Sequence, residues 1–308
     1  MDIEILLFLQ GIREAMGGAL NTFFVFISSI AVDYFIMVPP LILFWTVDKK
    51  KASRVLPTWG SSLCVGSFLK AACCVYRPWI KDPRVQPPQE IFAGATGYSF
   101  PSGHSFSSGG FWNGLAFAYR ENKKLVRFAV VMVALTMFSR VFLGVHTPQD
   151  IFTGCAVSLV CMFGISKLYD WIEKNPDKDW VLPAAATVIA IAVLCFLRFK
   201  SYPMDYVDGV LLVDPKKMTV DGFKDPGVFY GIVIGWFLER RYVKFDVSGT
   251  AQQKLMRALV GGLLTVFWYT AVAAPIGNAA DTGVVHFITQ ASTPIVFMVF
   301  YPMLFKKF

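Results

Sequence analysis

Charge is scarce in this chain. Of its 308 residues only 16% are charged, against 55% hydrophobic, and the mean hydropathy is +0.53. A soluble domain carries more charge and shorter apolar runs, so that class is excluded. Histidine is scarcer still, at three residues: His104, His146 and His286. The six cysteines (Cys64, Cys73, Cys74, Cys155, Cys161 and Cys195) all fall in apolar segments. They lack paired metal-ligand spacing, and the adjacent Cys73 and Cys74 are poorly placed for a disulfide. They read as buried thiols and leave the redox compartment open. The N-terminus lacks a basic region, a short apolar core and a small-residue cleavage site in that order, so no removable signal peptide is expected. Internal repeats and low-complexity segments are absent. No basic cluster is interleaved with stacking aromatics, so the net charge of +8 does not point to nucleic acid. It reflects basic residues gathered in loops.

What is present is a succession of apolar runs approaching the roughly 20 residues that a helix needs to cross a bilayer. Residues 2–16 mix Ile, Leu and Phe with Glu4, Arg13 and Glu14 at helical spacing, which predicts an amphipathic helix on the membrane surface. The stretch 19–47 is interrupted by Asp33 and Pro39-Pro40. It reads as a short helix near one interface and then a first crossing over 33–47, with two crossings as the alternative. Asp33 fits a helix cap at the interface better than a site residue. Further crossings are expected near 55–76, 104–119, 125–146, 148–169, 180–198, 226–239, 257–276 and 283–305. The connections 77–100 and 199–225 contain Pro, Gly and Asp and read as ordered surface loops. The expected fold is all-α, a polytopic membrane helix bundle of about nine transmembrane helices with an N-terminal amphipathic helix.

Loop charges orient the bundle. Lys49, Lys50, Lys51 and Arg54 share a side with Arg120, Lys123, Lys124 and Arg127, and with Lys167, Lys174 and Lys178. Arg240, Arg241, Lys244, Lys254, Arg257, Lys306 and Lys307 complete that set, 18 of the 29 basic residues. The positive-inside rule makes this side cytoplasmic.

Three fixed cations, two imidazoles and a carboxylate then collect on the opposite, outer face. Lys70 precedes Arg77-Pro78 by seven residues, two helical turns, so both cations can point from one face of the second crossing. Pro78 lacks an N–H and is expected to end that helix. Pro101-Ser102-Gly103-His104 opens the third crossing. There Ser102 is a good N-cap, Gly103 lets the backbone come close, and the helix N-terminus attracts anions. Ser139-Arg140 ends the fourth crossing, and the guanidinium of Arg140 suits bidentate phosphate binding. His146 and Asp150 stand four apart across the start of the fifth, with Pro148 at a plausible first helical position. Charge inside hydrocarbon is costly, so such residues suggest a functional site. Cations and N–H donors aimed at phosphoryl oxygens supply most of the catalysis in phosphoryl transfer. A carboxylate on one nitrogen of His146 makes the other a better nucleophile, and His104 can protonate the leaving oxygen.

These elements are Lys70-Ala-Ala-Cys-Cys-Val-Tyr-Arg77-Pro78, Pro101-Ser-Gly-His104 and Ser139-Arg-Val-Phe-Leu-Gly-Val-His146-Thr-Pro-Gln-Asp150. They resemble the type 2 phosphatidic acid phosphatase superfamily, membrane lipid phosphatases that share their site with vanadium haloperoxidases. Every motif position matches, over roughly residues 30–170. The resemblance implies His146 as nucleophile, His104 as general acid, Asp150 as its partner, and Lys70, Arg77, Ser102, Gly103 and Arg140 as phosphate binders. It implies no metal and no cofactor. Residues 1–170 are thus expected to form the phosphatase core, and 171–308 to add C-terminal transmembrane helices of unknown role. Nine crossings with an outside N-terminus also look like glucose-6-phosphatases and some sphingosine-phosphate phosphatases.

The expected reaction is metal-independent hydrolysis of a lipid phosphate or diphosphate through a phosphohistidine. The enzyme would sit in a bacterial inner or plasma membrane with its site facing away from the cytoplasm. Isoprenoid diphosphate, phosphatidate and sphingoid phosphate fit in that order, entering through a mouth around Ile91-Phe92 and Tyr98–Phe100. A sugar-phosphate phosphatase and a lipid phosphotransferase would use the same residues. A transporter is the non-enzymatic alternative, disfavoured because the charges gather at one interface and no repeat is present. His286 reads as an interfacial histidine, and Gly261-Gly262 as close helix packing.

Overall fold

A computed structural model describes residues 2–30, 32–92, 94–280 and 282–307, leaving aside the side chains of residues 33–35, 306 and 307. The reading of Asp33 as a cap lies outside the described side chains. Two N-terminal helices, α1 (Asp2–Ala15) and α2 (Asn21–Ser29), precede α3 (Asp33–Thr46) and the long α4 (Lys49–Cys73). Two single-turn helices follow, α5 (Pro78–Lys81) and α6 (Gln89–Phe92). Then come α7 (Gly103–Ala118), α8 (Lys123–Phe142), α9 (Pro148–Lys174) and α10 (Val181–Phe199). A hairpin of β1 (Tyr206–Val207) and β2 (Val210–Leu211) leads into α11 (Pro215–Gly222) and α12 (Lys224–Leu238). The chain ends with α13 (Ala251–Phe267), α14 (Ala274–Ala280), α15 (Gly283–Ile295) and α16 (Tyr301–Met303). Among the described residues the fold is all-α apart from that hairpin.

Each of the nine expected segments is helical. Among the described residues, five helical stretches are long and apolar enough to cross a membrane: 123–142, 148–174, 176–199, 251–280 and 283–303. The segment 36–46 is a shorter apolar helix. α7 and α12, at 16 and 15 residues, are shorter than the helices of that group, and α4 carries Lys and Arg in its first turns and polar residues along its length. All three run through the middle of the bundle, where neighbouring helices cover them. α7 packs on α4, α8 and α9, while α12 packs on α4, α10 and α15. Glycine permits both approaches. A Cβ at Gly154 of α9 would stand 2.8 Å from the carbonyl oxygen of Ser102, and one at Gly231 of α12 would stand 2.3 Å from that of Ala291. Gly261 is equally tight, against Trp45 and Tyr301, whereas Gly262 has ordinary room beside Val38. Outward-facing Phe152, Val160, Leu263 and Phe199 stay exposed, as suits a lipid-facing coat.

α1 is amphipathic but is more than a surface raft. Its Leu6 and Arg13 are buried, and Arg13 donates to the carbonyl oxygens of Phe142 (3.1 Å) and Gln86. The connection 199–225 contains the hairpin, whose turn places Asp208 and Gly209 at positive φ. Asp-Gly is the local signal for such a turn. Of the cysteines, Cys64 and Cys161 are buried, but Cys73 and Cys195 are exposed. A thiol is apolar enough to lie outward on a helix in hydrocarbon.

Candidate active site

The three motifs meet at one end of the bundle. α4 ends there at Cys73, and Cys74 follows in the left-handed conformation (φ 50°), its N–H donating to the carbonyl oxygen of Lys70 at 3.2 Å. This turn alters the expected geometry. Arg77 does not share a helix face with Lys70. It is the N-cap residue of α5, and Pro78 starts that helix at its first position instead of ending α4. Lys70 donates to the carbonyl oxygens of Tyr98 (3.0 Å), Ser99 (3.1 Å) and Pro101 (2.7 Å), so it holds the segment that carries the second motif.

Arg77 is buried. It donates through Nε to Gly97 O (3.2 Å), and through Nη1 to Val145 O (3.0 Å) and His146 Nε2 (3.0 Å). His146 and Asp150 are each 2% exposed. Thr147 caps α9 with Pro148 at its first position, and a reciprocal box joins Thr147 to Asp150. One carboxylate oxygen, Asp150 Oδ2, accepts from Ser99 Oγ (2.5 Å) and Thr147 N (2.9 Å), and lies 3.3 Å from His146 Nδ1. Ser99 Oγ lies 3.3 Å from the same Nδ1. With the Ser99 hydroxyl donating to Asp150, the Ser99 oxygen and the carboxylate can both accept from Nδ1–H, leaving Nε2 with its lone pair.

Ser102 occupies the N-cap position of α7 without a side-chain cap. Its N–H donates to Asp150 O at 2.9 Å, bracketing α7 onto α9, and its enclosed hydroxyl has no partner among the described residues. Gly103 and His104 line the cavity with Lys70, Arg77, Arg140 and His146. Arg140, also buried, donates to Ser28 Oγ of α2, while its Nε has no partner among the described residues. The structure therefore gathers Lys70, Arg77, His104, Arg140 and His146 around one space of about 440 Å³. Ser102 and Asp150 stand behind it. No group of three or more His, Cys, Asp or Glu side chains suited to a metal occurs among the described residues.

Sequence reasoning missed Ser99 and Ser28, which no motif marks, and it missed the wall opposite. Met218, Asp221, Lys224, Asp225 and Gln290, all from beyond residue 200, also line the cavity. The expected mouth is corrected in part. Phe92 is exposed and packs on Trp79 at 5.2 Å, but Tyr98 is fully buried between Tyr76 and Tyr202. The mouth-side turn is braced by Arg84, whose side-chain hydrogen bonds hold the Asp82 carboxyl below its ordinary pKa. His286 is buried in the first turn of α15, beside Gly277.

Helix ends that bring three fixed cations and two imidazoles to one cavity suit a phosphate ester, and the apolar helices around them are those of an integral membrane protein. Residues 52–174 match the PAP2 superfamily, and residues 223–308 match the transmembrane extension of PAP2 superfamily phosphatases. The chain belongs to the PAP2 superfamily. It is similar to lipid phosphate phosphatase delta of Arabidopsis thaliana, with 24% identity over 204 residues, 62% of this chain and 47% of that protein. It is also similar to phosphatidylglycerophosphatase B of Bacillus subtilis (strain 168), with 31% identity over 112 residues, 34% of this chain and 54% of that protein. The chain spans about half the length of these curated relatives. No solved structure matches it.

Proposed function

We propose that the protein is a metal-independent phosphatase that hydrolyses a lipid phosphate or lipid diphosphate through a phosphohistidine, at the membrane face away from the cytoplasm. The observation that carries this reading is the chain of contacts Asp150–Ser99–His146–Arg77 ending on His146 Nε2 at the cavity. Substrate phosphate draws Arg77 from Nε2 onto its own oxygens, freeing the lone pair. Lys70, Arg140 and the α7 N-terminus at Ser102–Gly103 share the remaining charge. Nε2 attacks phosphorus, the P–O ester bond breaks, and His104 gives its proton to the leaving alcohol oxygen. Water then attacks phosphorus, its proton goes to His104, and the P–N bond breaks to release phosphate. The lipid class is supported by the two curated relatives, both named as phosphatases and one as acting on lipid phosphates. It is supported too by a site at helix ends, where headgroups lie. Residues 1–170 would form the catalytic unit, with 171–308 closing the chamber. Comparing kcat/KM for a long-chain lipid phosphate and for glucose 6-phosphate in one detergent tests the substrate class. More efficient hydrolysis of the sugar ester would remove the lipid assignment and leave the mechanism.

A further inference from the structure

The chamber has a second polar wall that the phosphate chemistry above does not use. Asp225 opens α12 and accepts a hydrogen bond from Ser67 Oγ, one turn before Lys70 on α4. The hydrogen bonds of Lys70 go to neutral carbonyls, and both Lys70 and Asp225 line the same cavity. Gln290 of α15 lines the same cavity as Asp225, and Gly227 lets α12 and α15 close up. A Cβ there would stand 2.5 Å from Phe287 O and 3.2 Å from Gln290 Cβ. Gln290 is only 8% exposed, lines the cavity, and has no hydrogen-bond partner among the described residues. Its amide stays reachable from the cavity, so a bound ligand can pair it.

Building on the phosphatase reading, we infer that Asp225 and Gln290 form a subsite for a hydrogen-bond donor, a hydroxyl or ammonium group on the alcohol side of the phosphate ester. The wall lies a turn from the Lys70 clamp toward the middle of the bundle. The alcohol portion of an ester would lie there if its chains stay in hydrocarbon. The Asp225 carboxylate only accepts, and the Gln290 amide can turn its oxygen to the same group, so the pair suits a donor while the carboxylate opposes further negative charge. A second phosphate would meet Asp225. This reverses the order suggested by sequence, placing sphingoid phosphates and lysophospholipid phosphates ahead of isoprenoid diphosphates. The extension would thus set specificity while the motif helices perform the chemistry.

The test uses the full-length protein and three esters in one detergent: sphingosine 1-phosphate with its ammonium, 1-acyl lysophosphatidate with its hydroxyl, and hexadecyl phosphate with neither. Phosphate release gives kcat/KM for each. The wild type should favour at least one donor-bearing ester over hexadecyl phosphate by about tenfold or more, the scale of a hydrogen bond to a charged group. Asp225→Asn and Gln290→Leu should each reduce that ratio severalfold, and the ester whose ratio falls identifies the donor. A purely structural role would lower all three rates together and leave the ratios unchanged, which overturns the subsite. Wild-type ratios near one overturn it as well, even if neither variant folds. Absence of phosphate release from any lipid or sugar phosphate would instead remove the phosphatase reading, and the subsite with it.

Discussion

Ser99 offers a sharp perturbation because it touches His146, the proposed nucleophile, and its partner Asp150 without lining the cavity. Ser99→Ala removes a hydroxyl that donates to Asp150 Oδ2 at 2.5 Å and lies 3.3 Å from His146 Nδ1. The backbone carbonyl that receives Lys70 is kept. Asp150 Oδ2 also keeps its 2.9 Å bond from Thr147 N, so the carboxylate is not orphaned and the fold should survive. A hydrogen bond to a charged group contributes about 1.5–3 kcal/mol. If most of that is felt when positive charge develops on the imidazole, kcat should fall by roughly 10- to 150-fold. KM should change little, since Ser99 does not line the cavity. Steady-state phosphate release from a lipid phosphate in detergent gives both constants. Combining Ser99→Ala with Asp150→Asn should cost much less than the product of the single losses, because both act on one nitrogen. A folded Ser99→Ala enzyme within threefold of wild-type kcat, or fully multiplicative losses, would refute the support role.

His146→Ala should abolish turnover in a folded protein, and substantial residual phosphatase activity would remove it as nucleophile. Vanadate, which mimics five-coordinate phosphorus, should inhibit, whereas EDTA should leave activity unchanged if no metal takes part. A cysteine placed at Gly94 in a cysteine-free background should react with an impermeant reagent in intact cells, and labelling only after membrane disruption would reverse the topology. Gly231→Val should lower the thermal midpoint in detergent, because its side chain would collide with the Ala291 carbonyl at a cost of about 1–3 kcal/mol or more. An unchanged midpoint would show that α12 and α15 can separate freely.

Much of this was legible in the sequence. Apolar run length marked the helices, and fixed spacing marked the site, since His146, Thr147 and Asp150 lie within a single cap whose geometry is local. The errors arose where the chain leaves a helix. Nothing in Lys70–Arg77 shows that Cys74 turns left-handed, so two residues seven apart looked like one face. Ser99 and Ser28 act through contacts across 51 and 112 positions, beyond any local pattern. Asp225 and Gln290 were invisible for the same reason, because only the glycine-mediated packing of α12 brings them to the cavity. The Gly227, Gly231 and Gly235 series was present as a signal, but it shows helix approach and not what the approach assembles.

The central claim is that His146 carries the phosphoryl group. Turnover of a radiolabelled lipid phosphate, quenched rapidly under alkaline conditions and mapped by peptide, tests it most directly. The account predicts label on the peptide containing His146, absent from His146→Ala and sensitive to acid, as phosphohistidine is. Steady turnover with label on another residue, or with none at any quench time, would contradict it.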